Sequence, residues 1–262
     1  MKILFFGDIV GKLGRKAVRQ YLPKLVEKYH IDFVIANGEN ASHGKGLTEK
    51  NYYELLNGGV DAITLGNHWA SKREIASYLN DATNLVRPIN LLGEVGGVGT
   101  MTFEVNGHKV RVTNVLGTAF MHDEVMNPYQ SLKEITDIEN QVIHIVDYHA
   151  EATGEKMSFA NAFDGKVTAV LGTHTHVQTN DAKVLEHGTA YISDVGMCGA
   201  ANGVLGFEKN SVINKTLFGA EAPFQLDEHD EMMINAVVID IDEVSCLARD
   251  IFLVKILGDK NG

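Results

Sequence analysis

Short apolar runs recur through the first quarter of the chain. At or just after the end of each run stands a glycine, and a polar residue follows that glycine. Residues 2–7, 32–37 and 61–65 are three such runs. Runs of this length without polar alternation are typical of strands that are buried on both faces of a parallel sheet. The pattern therefore predicts three buried parallel strands.

Amphipathic stretches separate these strands. Residues 11–29 place apolar side chains at helical spacing, with Pro23 as a point where the helix could kink or divide. Thr48 is a candidate cap for a second helix over residues 49–57. Successive strand–helix units predict an α/β protein with a right-handed parallel sheet, in which ligands collect at the carboxyl ends of the strands.

The remaining chain is less regular and predicts a second sheet. Residues 101–115 alternate around Asn106-Gly107, which predicts a β-hairpin and, with it, a largely antiparallel sheet. Further helices are predicted at residues 130–140 and 157–163, and further strands at residues 142–147, 167–171 and 189–193, followed by a loop over residues 194–198. Two long strands at residues 232–241 and 247–255 are expected to pair as a closing hairpin.

The composition is that of a globular protein with ample material for a core. Of 262 residues, 45 % are hydrophobic and 22 % are charged, and no stretch looks like an interdomain linker. We therefore expect a single domain over residues 1–262. No apolar run approaches the ~20 residues needed to span a bilayer. Residues 1–8 lack the pattern of a signal peptide, so no association with a membrane is expected.

Charge and cysteine usage narrow the compartment and the partners. Cys198 and Cys246 are too few for a disulfide scaffold, so a cytoplasmic location is expected. The formal net charge of −11 argues against a nucleic acid polymer as partner, because binding DNA or RNA usually needs a basic face. A small phosphoester is compatible with this net charge, since a bound metal would neutralise the negative charge of the phosphoester. The sequence leaves homo-oligomerisation open.

The polar residues that follow the strand ends form the candidate chemistry of the chain. They are Asp8, Glu39, Asn40, Asn67, His68, His149, His174 and His176. A mixed set of oxygen and nitrogen donors without cysteine suits manganese, iron or zinc. The set exceeds what one ion needs, so we expect two ions that share a bridging carboxylate from Asp8 or Glu39.

His174 and His176 stand two residues apart after the strand at 167–171. Residues two apart in an extended chain point to the same side, with Cα atoms about 7 Å apart. The two imidazoles are therefore expected to converge on one ion, or on two ions roughly 3.5–4 Å from each other. Taken alone, a His-x-His pair is equally compatible with surface or core histidines.

Each of the other candidates also has a purely structural interpretation. Asp8 and Glu39 could cap the helices that follow them. Asn67 could be a turn residue, and His68 could be a supporting group or a core histidine. His149 could face the hydrophobic core with a hydrogen-bonding partner. The metal interpretation depends on all the strand ends meeting at one place.

Five separated blocks in order resemble a known family. The blocks are Gly7-Asp8, Gly38-Glu39-Asn40, Gly66-Asn67-His68, His149 and Gly172-Thr-His174-Thr-His176. They resemble the calcineurin-like metallophosphoesterases. The longer stretches Gly38-Glu-Asn-Ala-Ser-His-Gly-Lys-Gly-Leu-Thr-Glu49, His149-Ala-Glu-Ala-Thr-Gly-Glu-Lys156 and Gly172-Thr-His-Thr-His-Val-Gln-Thr179 are similar to the YmdB-type bacterial phosphodiesterases. The resemblance covers residues 1–242 and is highly specific.

The resemblance implies a fold and a site. The fold would be a four-layer αββα sandwich, in which helices flank two mixed sheets. One ion, iron or manganese with zinc as a further option, would be held by Asp8, Glu39, Asn40 and His176. The second ion would be held by Glu39, Asn67, His149 and His174. His68 would donate the proton to the leaving oxygen.

Two segments depart from the family pattern. The wider superfamily usually has Asp-x-His in the first block, where this chain has Asp8-Ile9-Val10. Asn40 would compensate for the missing histidine, as in YmdB-type proteins. Trp69-Ala70-Ser71 stands where the close relatives have threonine, tryptophan and an acid. The ligands and the proton donor are intact, so the second departure would affect substrate preference rather than chemistry.

The expected function is metal-dependent hydrolysis of a small phosphodiester. By resemblance, a hydroxide held between two ions would attack phosphorus, and the substrate would be a 2′,3′-cyclic nucleotide. The residues themselves support only a phosphoester. Two alternatives stay open: a phosphomonoesterase or nucleotidase with the same site, and a regulatory protein that uses the metal site to bind a nucleotide or a partner.

Overall fold

The computed structural model describes residues 1–138 and 141–258, and fourteen strands are found there. They are β1 (Lys2–Phe6), β2 (Asp8–Ile9), β3 (Phe33–Asn37), β4 (Ala62–Thr64), β5 (Leu85–Val86), β6 (Thr100–Val105), β7 (His108–Leu116), β8 (Ile143–His149), β9 (Ala169–Thr173), β10 (Lys183–Val184), β11 (Ala190–Ile192), β12 (Met197–Ala200), β13 (Met232–Asp242) and β14 (Leu247–Gly258). The three predicted parallel strands and the closing hairpin are confirmed, and both sheets combine parallel and antiparallel pairs.

Six helices lie in the same described ranges. They are α1 (Gly11–Tyr29), α2 (Glu49–Asn57), α3 (Ile75–Tyr78), α4 (Pro128–Thr136), α5 (Thr153–Ala162) and α6 (Lys209–Phe218). Pro23 does not divide α1, which runs unbroken on both sides of it. The predicted cap is confirmed, since the Thr48 side chain accepts a hydrogen bond from the amide of Asn51. The helix expected at residues 130–140 ends at Thr136, and its last two expected positions lie outside the described residues.

The first sheet carries the three early strands side by side. Its order is β2-β12-β13-β1-β3-β4-β5, with β14 paired to β13. The neighbours β1, β3, β4 and β5 are parallel, whereas β13 runs antiparallel to β1. The carboxyl ends of β1, β3 and β4 therefore meet at one edge, where the segments holding Asp8, Glu39 and Asn67 leave the sheet.

The second sheet is mixed, and the prediction of a largely antiparallel sheet is wrong. Its order is β10-β11-β9-β8-β7-β6, and only the two outer pairs are antiparallel. The strands β7, β8, β9 and β11 pair in parallel. The predicted hairpin of β6 and β7 is confirmed, but α4 and α5 then cross over between parallel strands, as parallel pairing requires. Hairpin chemistry alone does not reveal these later crossovers.

Three apolar cores separate the layers. Leu4 and Phe6 face one side of the first sheet and pack with α1 and α2 in the first core. Ile3 and Phe5 face the other side and pack between the two sheets, together with Ile145 of β8. The far side of the second sheet packs against α4 and α5 in the third core. Successive side chains of β1 thus serve two different cores, which explains its continuous apolar sequence.

Several elements were not predicted, and β12 and α6 are two of them. Strand β12 lies in and beyond the expected loop at 194–198, and it pairs with both β2 and β13. Helix α6 shows no apolar periodicity because none of its residues is buried. No helix within residues 1–138 and 141–258 is long and apolar enough to cross a membrane.

Glycines at the strand ends allow close approach of other groups. A β-carbon added to Gly172 would overlap the main-chain carbonyl of Ser193. A β-carbon added to Gly66 would overlap the carboxylate of Glu39 and the imidazole of His149. At Gly66 and Gly172, the absence of a side chain is therefore a spacing requirement of the sheet edge.

We expect Gly172→Ala to lower the free energy of unfolding by about 1–3 kcal/mol, because the new methyl group forces adjoining backbones apart. Gly154→Ala is the matched control. Gly154 lies in α5, and an added β-carbon would find nothing within 4 Å. The control should be neutral or stabilised by roughly 0.5–1 kcal/mol. Urea denaturation measures both, and equal stabilities for the two variants would contradict the spacing requirement.

Candidate metal centre

The structure brings all eight candidate residues to one place, between the ends of the two sheets. Asp8 belongs to β2, and His149 is the last residue of β8. The other six follow the ends of β3, β4 and β9. Each of the eight has a side-chain atom within 3.9 Å of a polar atom of another member.

Glu39 lies at the centre of this cluster and is 1 % exposed. Its Oε1 atom is 3.3 Å from His149 Nε2 and 3.3 Å from His68 Nδ1. Oε2 accepts a hydrogen bond from the His68 main-chain amide at 3.0 Å. Burial alone would raise the pKa of Glu39, but the neighbouring His149 and His68 hold it well below its usual range. Glu39 is therefore a buried carboxylate that stays ionised.

His149 provides the main positive charge opposite Glu39. Burial lowers the pKa of His149, but the Glu39 carboxylate outweighs burial and raises that pKa to about 9. Its Nε2 atom also faces Asn67 Oδ1 at 3.0 Å. A metal ion requires the neutral imidazole as ligand, so an ion at this place would take over the role of the proton.

A buried polar network fixes the orientation of His149. Its Nδ1 atom is 2.8 Å from Thr173 Oγ1, and that hydroxyl donates to Asp147 Oδ1 at 2.6 Å. Asp147 Oδ2 accepts from Asn37 Nδ2 at 2.9 Å and from the hydroxyl of Thr64. Asn37 and Thr64 belong to the first sheet, whereas Asp147 and Thr173 belong to the second. The network therefore joins both sheets beneath the site.

His174 and His176 reach the site by a route that differs from the prediction. They do not lie on an extended segment, because β9 ends at Thr173 and their φ angles are +102° and +67°. The assumption of an extended His-x-His pair is wrong, yet both rings still face the cluster. His174 Nδ1 lies 3.1 Å from His149 Nε2, and His176 Nε2 lies 3.1 Å from Asn40 Nδ2. Backbone turns, rather than strand pleating, aim the two side chains.

His149, His174 and His176 each have a hydrogen-bond acceptor beside the outer ring nitrogen, which is the one that points away from the cluster. The acceptors are the Thr173 hydroxyl for His149, the Glu151 carboxylate at 3.1 Å for His174, and the Leu205 carbonyl at 3.2 Å for His176. In a neutral imidazole, an N–H group on the outer nitrogen leaves the lone pair of the inner nitrogen facing the cluster. This arrangement of an outer acceptor behind an inward-facing nitrogen is common around metal-binding histidines.

Asp8 completes the cluster with an oxygen that accepts no hydrogen bond. The residue is fully buried, and its Oδ2 accepts a hydrogen bond from the His174 amide at 3.1 Å. Its Oδ1 atom is buried without any hydrogen bond and lies 3.9 Å from His176 Nε2. Burial raises the pKa of Asp8 to about 6, although His176 and His149 oppose this shift. A buried carboxylate oxygen without a donor is costly unless a cation occupies the adjacent space.

Asn40 has its amide turned away from a ligating position. Its Nδ2 donates to Glu39 Oε1 at 2.9 Å, while Oδ1 lies 2.8 Å from His68 Nδ1. Ligation of an ion between Glu39 and His176 by the Asn40 oxygen therefore requires the amide to rotate. His68 itself is 26 % exposed in its side chain, which makes it the accessible member at this end of the cluster.

The donor set fits divalent metal ions. Ligand atoms from Glu39, His149 and His174 all lie within 4.8 Å of one another. Carboxylate, amide and imidazole groups are the donors that iron, manganese and zinc accept. The partnerless oxygen of Asp8 supplies an independent reason for a cation there.

A buried ion pair that was not predicted anchors the turn bearing His174 and His176. Lys156 Nζ donates to the Thr173 carbonyl at 2.8 Å and to Asp194 Oδ2 at 2.9 Å. The same Asp194 oxygen accepts from the Thr175 amide at 2.9 Å. The Lys156 and Asp194 side chains are 2 % and 1 % exposed. Lys156 ends a motif that marks the family resemblance, but nothing in the sequence pairs it with Asp194.

Two mixed sheets carry carboxylate, amide and imidazole groups at their shared edge, as the resemblance to the metallophosphoesterases implies. A family model described as YmdB-like protein matches residues 4–254. The chain belongs to this family, which confirms the resemblance found in the sequence.

Individual relatives agree over almost the whole chain. The 2′,3′-cyclic-nucleotide 2′-phosphodiesterase of Bacillus subtilis (strain 168) is 44 % identical over 245 residues, which cover 93 % of this chain and 92 % of the relative. The crystal structure of a phosphatase of Mycoplasma pneumoniae superposes with a TM-score of 0.93 at 39 % identity, covering 99 % of this chain and 94 % of the other. A hypothetical protein of Thermus thermophilus gives a TM-score of 0.92 at 36 % identity, with coverages of 99 % and 100 %.

We expect Lys156→Ala to lower the free energy of unfolding by about 3–5 kcal/mol, because Asp194 would remain as a buried charge without its partner. Urea denaturation in excess chelator measures this effect without any contribution from bound ions. Lys16→Ala is the matched control, since Lys16 is an exposed residue of α1. If the free energies of unfolding of Lys156→Ala and the control differed by less than about 1 kcal/mol, the ion pair would not anchor the turn.

Proposed function

We propose that the protein is a metal-dependent phosphodiesterase that hydrolyses small phosphodiesters, 2′,3′-cyclic nucleotides among them. The observation that carries this proposal is the partnerless buried oxygen of Asp8 beside the cluster of Glu39, His149 and His174. The name of the Bacillus subtilis relative supports the choice of substrate class. The three successive cores support a four-layer αββα sandwich as the underlying fold.

Two sets of residues would hold two ions, with Glu39 in both. One set is Asp8, Glu39, Asn40 and His176, and the other is Glu39, Asn67, His149 and His174. Bound iron, manganese or zinc would activate water near neutral pH and neutralise charge on the phosphoryl oxygens. The side chains of His149, His174 and His176 each point one ring nitrogen toward this space. The carboxylate of Glu39 is held in its ionised form.

His68 would transfer a proton to the leaving oxygen. Its Nδ1 atom contacts Asn40 Oδ1, so Nε2 is the nitrogen available for a substrate. Its partial exposure at the rim of a buried cluster places the ring between the centre and solvent. Because its main-chain amide is bound to Glu39, the position of His68 is tied directly to the proposed bridging carboxylate.

The first test compares metal-loaded wild type with Glu39→Gln. Wild type loaded with Mn²⁺ or Fe²⁺ should hydrolyse bis-p-nitrophenyl phosphate and 2′,3′-cyclic AMP, and Glu39→Gln should lose both the activity and at least one bound ion. Glu186→Gln, a change of the same chemistry at an exposed position, is the control. Metal content and rates are measured on the same samples. An inactive wild type with full metal content would refute the proposal, and preference for p-nitrophenyl phosphate would indicate a phosphomonoesterase.

The second test isolates the proton donor. His68→Ala should keep its metal content and lose ~10²–10⁴-fold in kcat on 2′,3′-cyclic AMP, since general acid catalysis contributes in that range. The loss should be smaller on bis-p-nitrophenyl phosphate, because p-nitrophenolate leaves without needing a proton. His122→Ala is the control, as His122 is exposed. Loss of metal would identify His68 as a ligand, and equal losses on both substrates would contradict the role of proton donor.

A further inference from the structure

A cavity of about 330 Å³ adjoins the candidate metal centre. His176 forms part of its wall, and the remaining wall is largely apolar, with Val177, Leu205 and Met233 among its residues. Ligand sites in proteins are typically roughly 300–1,000 Å³, mostly apolar, with a few polar groups that fix orientation. The size and lining of this cavity meet that description.

One imidazole ring connects the cavity with the metal centre. His176 Nε2 faces Asn40 and Asp8 on the inner side. Its Nδ1 atom faces the carbonyl oxygen of Leu205, which itself lines the cavity. A phosphate held at the centre would therefore have the cavity on the far side of a single side chain.

Asn235 of β13 lines the cavity and carries a side-chain oxygen that accepts no hydrogen bond. The residue is 2 % exposed, and its Oδ1 atom is buried without a hydrogen bond. An amide side chain can present either its oxygen or its NH₂ group when it turns. A buried amide oxygen without a donor costs free energy, roughly 1–3 kcal/mol, that a ligand amine would recover once the amide turned toward the cavity. Neighbouring Gln178 is already committed, since its Nε2 donates to the carbonyls of Val195 and Ala236.

We propose that this cavity binds the base of a nucleotide diester, with Asn235 reading a base that carries an exocyclic amine. The assignment rests on the proposed phosphodiesterase function and names the part of the substrate that the ions do not touch. An asparagine amide pairs with the amine and adjacent ring nitrogen of adenine in a two-bond arrangement. Met197 and Met233 line the cavity and suit the flat faces of a base, because thioether sulfur makes favourable contacts with aromatic rings.

The charge of the cavity favours a base over a second phosphate. Lys255 is the only cationic Lys or Arg side chain among the described lining residues, and it is exposed at the rim. Phosphate sites generally use several cationic or main-chain donors, with arginine preferred for paired recognition. An apolar wall with one amide instead fits an uncharged heterocycle.

Asn235→Leu tests the assignment, because it keeps the side-chain volume and removes only the amide. The ratio of kcat/KM for 2′,3′-cyclic AMP to kcat/KM for bis-p-nitrophenyl phosphate should fall about tenfold, through KM rather than kcat. Val204→Trp, which adds bulk at the cavity wall, should lower the same ratio. The preference for 2′,3′-cyclic AMP over 2′,3′-cyclic UMP should also narrow in Asn235→Leu. Asn161→Leu, at an exposed position of α5, is the matched control.

Adenosine binding, measured by calorimetry, separates this proposal from the proposed function. Wild type should bind adenosine whether or not it is loaded with metal, and both cavity variants should bind it at least tenfold more weakly. A wild type that binds adenosine but hydrolyses neither diester would refute the phosphodiesterase and leave the base site standing. The base site would be overturned if the ratio of the two kcat/KM values stayed unchanged in both variants, which includes an equal loss on both substrates. It would also be overturned if wild type did not bind adenosine.

Discussion

An ionised carboxylate buried at the junction of two sheets is the constraint on which the site depends. Glu39 has almost no contact with solvent, so its charge must be balanced by groups that the protein provides. His149 and His68 provide this balance, and the same contacts place them beside the carboxylate oxygens. Gly66 is the steric counterpart, since a side chain there would overlap both Glu39 and His149. The charge of Glu39 and the space left at Gly66 together determine which side chains fit at this edge of the sheet.

The two sheets contribute unequal parts of the centre. The first sheet positions the candidate oxygen ligands Asp8, Glu39 and Asn67, whereas the second positions the imidazoles of His149 and His174. Neither sheet alone carries all of the candidate ligands. Asp147 lies between them and receives hydrogen bonds from Asn37 and Thr64 of the first sheet and from Thr173 of the second. The alignment of the two sheets therefore sets the distances within the site.

Much of this arrangement could be predicted from the sequence, for a definable reason. Buried parallel strands have continuous apolar sequences, so their carboxyl ends, and hence Asp8, Glu39 and Asn67, could be located without a structure. Interactions between distant segments could not. The positive φ angles of His174 and His176 depend on the turn that Lys156 and Asp194 hold, and the parallel pairing of the second sheet depends on later crossovers. The direction of the Asn40 amide is set by its neighbours, and no motif encodes it.

The network of Asp147 couples two properties that are usually considered separately. Its hydrogen bonds run from both sheets to the ring of His149, so the packing of the fold and the geometry of the centre share the same bonds. By thermodynamic linkage, a ligand that bound at His149 only in the folded chain would stabilise the folded state. If ions bound beside His149, the chain that held them would unfold less readily than the same chain without them.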